Sequence, residues 1–161
     1  MEERVLAVFP ELCTGRRDCE IVCSLKHLGV INPERSRIRV LRDVFEGYEL
    51  PLVCLQCQDA PCMNSCRVDA FFVDERNAKI IDYEKCIACR RCIIACPFGV
   101  NFLDPVTKKP LKCDLCDGDP ECVKFCSTGA VRYMTAEEYN REKIKLSSEK
   151  YIEAIKQEER W

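Results

Sequence analysis

The sequence lacks several features that would assign it to common protein classes. It has no run of 18 or more apolar residues, so no membrane span is expected. Its first residues, MEERVLAVFPELC, contain neither the apolar core nor the cleavage site of a signal peptide, and we expect a cytoplasmic protein. No G-x-G-x-x-G motif is present, so a bound nicotinamide or flavin is not predicted. The single histidine, His27, is expected to make a local hydrogen bond rather than to act as a general base. The sequence therefore predicts no catalytic site in this chain.

Cysteine, in contrast, is abundant, with 15 among 161 residues. A disulfide scaffold is one interpretation, but the missing secretion signal, the odd count and the C-x2-C pairs favour metal binding. The cysteines fall into four groups, which form an internal repeat. The groups are Cys13, Cys19 and Cys23; Cys54, Cys57, Cys62 and Cys66; Cys86, Cys89, Cys92 and Cys96; and Cys113, Cys116, Cys122 and Cys126.

Group three, CIACRRCIIACP, matches the bacterial ferredoxin run C-x2-C-x2-C-x3-C-P, including Pro97. In that run three cysteines hold one [4Fe–4S] cluster and the fourth crosses to another, because the fourth corner of the cube faces away from the loop. Pairing group two with group three, and group one with group four, predicts three [4Fe–4S] clusters. Their ligands are Cys54, Cys57, Cys62 and Cys96 for cluster 1; Cys86, Cys89, Cys92 and Cys66 for cluster 2; and Cys113, Cys116, Cys122 and Cys23 for cluster 3.

Group one, within LCTGRRDCEIVC, lacks its second ligand, and the place is taken by Arg16, which has no lone pair for a metal. The remaining thiols of Cys13, Cys19 and Cys126 make a doubtful fourth site. Three outcomes stay open. The site holds no cluster and Arg16 fills the space, or it holds a [3Fe–4S] cluster, or it holds a [4Fe–4S] cluster completed by water or a carboxylate such as Asp18. The first outcome, a relay of three cubanes, is the prediction.

Short strands and turns separate the groups. Strands are predicted at 4–9 and 130–134, and hairpins turn near 46–47, 75–78 and 104–105. Helices are predicted at 19–27, 61–66, 90–95 and 120–126, because C-x3-C places two thiols one helical turn apart. The expected fold is α+β, with tandem, nested ferredoxin-like dicluster units and a C-terminal helical tail. The polyferredoxin domain covers 1–134, with an outer half (1–47 plus 105–134) and an inner half (48–104), and the tail covers 135–161.

The tail, from Thr135 onward, contains no cysteine, glycine or proline. Thr135 and Glu138 form a capping-box signature, and Tyr151, Ile152 and Ile155 make a narrow apolar stripe. The tail either packs on its own domain or docks on a partner subunit, with Trp161 as an anchor.

Charge and spacing bear on the choice of partner and metal. The net charge of −2 would fall to about −8 with three clusters bound, so the arginines near the cysteines are expected to compensate cluster charge. Those arginines are Arg16, Arg17, Arg67, Arg90 and Arg91. No stripe of basic and aromatic residues suggests nucleic-acid binding.

Zinc is the alternative metal, because structural zinc sites also use C-x2-C pairs. Such sites typically combine two pairs separated by a longer spacer, whereas group three has four cysteines within eleven residues, more than one tetrahedral ion readily uses.

The four-group arrangement, over residues 4–134, resembles the iron–sulfur subunits of molybdenum- and tungsten-pterin oxidoreductases. The segment CSLKHLGVINPERSRIRV (23–40) is most similar to the small subunits that accompany tungsten enzymes of the aldehyde:ferredoxin oxidoreductase type, including class II benzoyl-CoA reductases. The resemblance implies a non-catalytic electron-transfer subunit and a large tungsten- or molybdenum-pterin partner, with a further electron-transfer subunit or a ferredoxin as a second partner. A free-standing polyferredoxin and a zinc-stabilised interaction module are the alternatives. The chain departs from this family at Arg16, and at Arg67 and Ser127, where the family has proline.

Overall fold

The computed structural model describes residues 3–158, and its regular elements are short except for two helices. The strands are β1 (Arg4–Val8), β2 (Arg39–Asp43), β3 (Tyr48–Leu52), β4 (Phe71–Val73), β5 (Lys79–Ile81), β6 (Phe102–Leu103), β7 (Pro110–Leu111) and β8 (Val131–Thr135). The α-helices are α1 (Asp18–Leu28), α2 (Pro61–Asn64), α3 (Arg91–Ile94), α4 (Glu121–Lys124) and α5 (Ala136–Glu158). Single 3-10 turns lie at Pro10–Leu12, Pro33–Arg35 and Leu115–Gly118.

The strands form four two-stranded antiparallel sheets, and three of these are the predicted hairpins β2–β3, β4–β5 and β6–β7. The fourth sheet joins the first strand to the last, with Leu6 opposite Tyr133. Because β1 and β8 are far apart in sequence, this pairing brings group one beside group four. The α+β architecture is as expected from the sequence. The division into outer and inner halves stays a prediction, and the hairpins β2–β3 and β6–β7 both cross its boundaries.

The helices that follow the C-x2-C pairs are shorter than predicted, with four residues each instead of six or seven. One turn is sufficient to place the third cysteine of the group, and the chain must then leave the helix so that the fourth cysteine can reach another site. The boundary error therefore has a geometric cause.

Thiols make up a large part of the buried interior. One cluster of buried residues combines Leu6, Ile38, Val53 and Val131 with thiols of groups one, two and four. A second, smaller cluster combines Phe71 and Ile81 with thiols of groups two and three. Few large apolar side chains contribute to either cluster, so much of the core is the lining of the thiol sites.

Helix α5 begins with the predicted capping box. The Glu138 N–H donates to Thr135 Oγ1 (3.2 Å), and the Thr135 N–H donates to Glu138 Oε2 (2.8 Å). The first turns pack on the domain, because the Tyr139 ring lies 5.3 Å from that of Phe9. The distal stripe is exposed, with Tyr151 at 74%. Trp161, the predicted anchor, lies outside the described residues. None of the described helices is long and apolar enough to cross a membrane.

Candidate metal centres

The structure contains four cavities, and each is lined by one of the thiol sets predicted from the sequence. The fourth cysteine of each group lies in the cavity of the group with which the sequence analysis paired it. These cysteines are Cys96, Cys66, Cys23 and Cys126. The cavities are lined by Cys54, Cys57, Cys62 and Cys96; by Cys66, Cys86, Cys89 and Cys92; by Cys23, Cys113, Cys116 and Cys122; and by Cys13, Cys19 and Cys126.

The same local geometry places one thiol in each cavity. The second residue of a helix is a cysteine in every case: Cys19 in α1, Cys62 in α2, Cys92 in α3 and Cys122 in α4. These four thiols are all buried. Each helix thus begins beside a cavity with its thiol directed into the protein interior.

Burial keeps several of these thiols protonated when no cation is near. It raises the pKa of Cys19 to about 12 and those of Cys92 and Cys116 to about 11. It also raises the pKa of Cys113 and Cys122 far above the usual range. Thiolate is the form that binds metal, and a bound cation removes the proton outright. The cavities therefore suit thiolates that share a cationic core.

The spacing of the ligand atoms fits a cluster better than a single ion. Four thiolates around one zinc ion, with Zn–S bonds of about 2.3 Å, would lie roughly 3.8 Å apart. Within residues 3–158, the one group of three ligand atoms that all lie within 4.8 Å of one another is His27, Asp114 and Cys116. It contains a single thiol, which already lines the third cavity. The donor set of four thiols around each of three cavities fits the tetrathiolate ligation of [4Fe–4S] clusters.

The four thiol sets adjoin one another in succession, an arrangement called the row below: Cys19, Cys113 and Cys54 pack in one buried cluster, and Cys62 and Cys92 pack in the other. The pKa of Cys122 is raised first by burial and also by the nearby Cys19, which belongs to the three-thiol cavity. The pKa of Cys113, in the cluster 3 set, is likewise raised first by burial and then by Cys54 of the cluster 1 set. Burial and Cys86 raise the pKa of Cys92 in the cluster 2 set, and Cys62 of the cluster 1 set adds to them. The order is therefore the three-thiol cavity, then the sets for clusters 3, 1 and 2.

His27 lies beside the cluster 3 set, in the hydrogen-bonding position expected for it. Its Nε2 atom is 3.6 Å from Cys116 Sγ and 3.5 Å from Asp114 Oδ1. Asp114 is also ion-paired with the half-buried guanidinium of Arg37. The Arg37 backbone N–H donates to Cys23 Sγ at 3.3 Å.

The loop of group one has the backbone conformation of an intact ligand loop. Gly15 (φ 67°) and Arg17 (φ 63°) flank Arg16, just as Ala88 (φ 56°) and Arg90 (φ 63°) flank Cys89. Arg16 therefore stands where group three has a cysteine, and Cys89 is the exposed thiol of its group.

Arg16 lines the three-thiol cavity, but most of its side chain lies in solvent. Its side chain is 65% exposed, and its Nε donates to Asp18 at 2.9 Å. The absence of a cluster from this site stays a prediction. A side chain with a long flexible stem is free to turn outward because its corner of the site faces solvent.

Sequence reasoning missed the polar side chains of the cluster 1 cavity. Lys79, Lys112 and Gln56 line it and are only 2–3% exposed. The five arginines expected to compensate cluster charge are exposed instead. The sequence does contain a signal for these buried lysines. Lys112 directly precedes Cys113, and Lys79 lies in the otherwise apolar run AKII.

Comparisons with known proteins agree with this geometry. Residues 45–136 match the family described as "4Fe-4S dicluster domain". The chain is 44% identical over 128 residues to the "aliphatic sulfonate oxidoreductase, polyferredoxin-like subunit" of Pyrococcus furiosus, covering 78% of this chain and 73% of that protein. It is 36% identical to the "putative electron transport protein YsaA" of Escherichia coli, covering 83% and 90%. Among solved structures it resembles a chain of the "active site complex BamBC of benzoyl coenzyme A reductase" with 1,5-dienoyl-CoA (TM-score 0.51, 32% identity, covering 81% and 75%).

Proposed function

Because the chain belongs to the 4Fe-4S dicluster domain family, we propose that it relays single electrons to or from a tungsten- or molybdenum-pterin catalytic subunit. The chain is a non-catalytic electron-transfer component of an oxidoreductase complex. Iron–sulfur clusters supply one-electron transfer when bound. The protein's part is to hold them at fixed separation and to control their electrostatic surroundings.

The row of four thiol-lined cavities is the observation that carries the proposal. Twelve of the cysteines hold three [4Fe–4S] clusters in the ligand sets predicted from the sequence. Electrons pass between neighbouring sites because thiols of adjoining sets pack in the same buried cluster, Cys113 with Cys54 in one and Cys92 with Cys62 in the other. All 15 thiols are unpaired, which suits the reducing cytoplasm.

The fourth cavity holds a [3Fe–4S] cluster on Cys13, Cys19 and Cys126. Its three thiols line a common cavity, as the four thiols of each tetrathiolate set do. Arg16 supplies no ligand, and it engages the Asp18 carboxylate that would otherwise be a candidate for the fourth corner. A three-iron core lacks the corner whose ligand is absent.

The partner is inferred from the relatives. One relative is named as a subunit of an oxidoreductase. The solved structure that this chain resembles is part of an active-site complex. A large chain with a tungsten- or molybdenum-pterin centre is therefore the proposed electron donor or acceptor. A second electron-transfer subunit or a ferredoxin would serve the other end of the row.

Anaerobic purification of the native complex, followed by iron, acid-labile sulfide and metal analysis, tests this function. We expect about 15 Fe per chain, from three cubanes and one three-iron cluster, and a co-purifying large chain that contains tungsten or molybdenum. Zinc in place of iron would refute electron transfer. A loaded monomer with no partner would instead support the free-standing polyferredoxin.

A further inference from the structure

Two lysines are buried in the wall of the cluster 1 cavity. Lys79, on β5, and Lys112, just after β7, are each 3% exposed. Both line the cavity together with Cys54, Cys57 and Cys62. Lysine is seldom fully buried unless its charge is compensated, because transfer of an ammonium group out of water costs several kcal/mol.

The nitrogen of each lysine is surrounded by hydrogen-bond acceptors. Lys112 Nζ donates to Gln56 Oε1 (3.1 Å) and to the carbonyl oxygens of Lys79 (2.5 Å) and Cys113 (3.3 Å). Lys79 Nζ donates to both oxygens of Asn77 (2.9 and 3.1 Å) and to the Gln56 carbonyl oxygen (3.4 Å). Each nitrogen faces three acceptors, which matches the three N–H groups of an ammonium and exceeds the two of a neutral amine.

Neither ammonium group has a carboxylate partner among residues 3–158, since all six acceptors are neutral oxygens. The cationic side chains at the other cavities differ in this respect. Arg37, at the cluster 3 cavity, is paired with Asp114, and Arg16, at the three-thiol cavity, with Asp18. Arg90 and Arg91, at the cluster 2 cavity, are exposed and screened by water.

We propose that the Lys79 and Lys112 ammonium groups are the built-in counter-ions of cluster 1 and make it the most easily reduced of the three tetrathiolate clusters. This inference rests on the proposed function. A [4Fe–4S] core with four thiolates carries a net charge of about −2, and gaining one electron makes it more negative. Fixed buried cations favour the more negative state, and they act strongly because little water screens them.

The electrostatic effect of Lys112 already reaches one ligand. Burial raises the pKa of Cys62, whereas a hydrogen bond with Asn101 and the charge of Lys112 both lower it. The same network includes Gln56. Gln56, between two ligands of the same cluster, accepts from the Lys79 backbone N–H (2.9 Å) and donates to the Cys113 carbonyl oxygen (2.8 Å). The electron on cluster 1 would come from the neighbouring set for cluster 2 or cluster 3, and no bond is made or broken.

Potentiometric titration of the loaded complex, followed by EPR, tests the proposal with Lys112→Met, Lys79→Met and Lys112→Arg. Cys57→Ser identifies the cluster 1 signal. At the wild-type midpoint of cluster 1, each methionine variant should lower its reduced-to-oxidised ratio at least tenfold, which corresponds to about 59 mV. The other clusters should shift less. Lys112→Arg keeps the charge and should stay within about threefold of wild type.

Arg91→Met is the matched control, because Arg91 lines a cavity but is exposed, and it should leave cluster 2 unchanged. Full iron content with an unshifted cluster 1 in both methionine variants would overturn this inference and leave the proposed function intact. The inference would also be overturned, with the proposed function intact, if another tetrathiolate cluster were reduced before cluster 1 in the wild-type protein. Absence of iron from the wild-type complex would overturn both. Where Lys112→Met fails to assemble, the shift measured in Lys79→Met alone decides between these outcomes.

Discussion

Replacement of Arg16 by cysteine should convert the fourth site into a complete cubane site. The backbone at residues 15 and 17 already has the positive φ values found at residues 88 and 90, so the new thiol should take the position that Cys89 has in group three. The substitution removes only an exposed ion pair with Asp18, which contributes about 0–1 kcal/mol, so the fold should tolerate it. Iron content should rise from about 15 to about 16 per chain.

EPR of the oxidised protein is the more specific assay. An oxidised [3Fe–4S] cluster is paramagnetic, whereas an oxidised [4Fe–4S] cluster is silent, so the wild-type signal should disappear in Arg16→Cys. Arg16→Ala is the control, since it breaks the same ion pair without adding a thiol and should keep the signal. Cys126→Ser should lose the cluster. If wild type and Arg16→Cys both contain about 12 Fe and neither gives an oxidised-state signal, the three-thiol cavity is not a cluster site.

Three further outcomes are expected. Cys89→Arg makes the reverse exchange at the matching exposed position, and it should remove about one Fe from cluster 2 and create a second oxidised-state EPR signal. An unchanged iron count would contradict the equivalence of the two loops. Anaerobic removal of iron with a chelator should abolish near-UV circular dichroism and raise protease sensitivity, because the thiols that would bind the clusters form much of the buried core. A fully native apoprotein would refute this. Thr135→Ala should destabilise the start of α5 by about 1 kcal/mol, which would appear as faster amide hydrogen exchange at residues 136–140 than in the control variant Thr128→Ala. Equal amide protection in the two variants would show that the capping box contributes nothing.

The ligand groups and hairpins could be predicted because they depend on short-range rules. Thiol spacing is fixed by the size of a metal core, and alternation of apolar residues around a turn predicts a hairpin. The nesting of the groups could be inferred from order alone. The β1–β8 pairing then brings the outer groups together in the structure, with Val5 opposite Met134.

The missed features depend on three-dimensional burial. Sequence proximity suggested that arginines beside the cysteines would compensate cluster charge, yet those side chains reach solvent. The buried cations are Lys79, on β5, and Lys112, just after β7, which are 33 residues apart in sequence and meet through Gln56 and the Lys79 carbonyl oxygen. Similarly, the outward turn of Arg16 depends on the exposure of its corner, which no local pattern encodes.

The exposure of the thiols along the row indicates how the chain would connect two redox partners. At one end the cluster 2 set includes Cys89, the exposed thiol of the intact groups, and at the other end the corner held by Arg16 is open to solvent. The two middle sets contain no exposed thiol, since each of their thiols is buried or half-buried. Electrons would therefore enter and leave at the ends, while the two lysines favour reduction in the middle. An electron held there is shielded from solvent and stays available to whichever partner is ready to accept it.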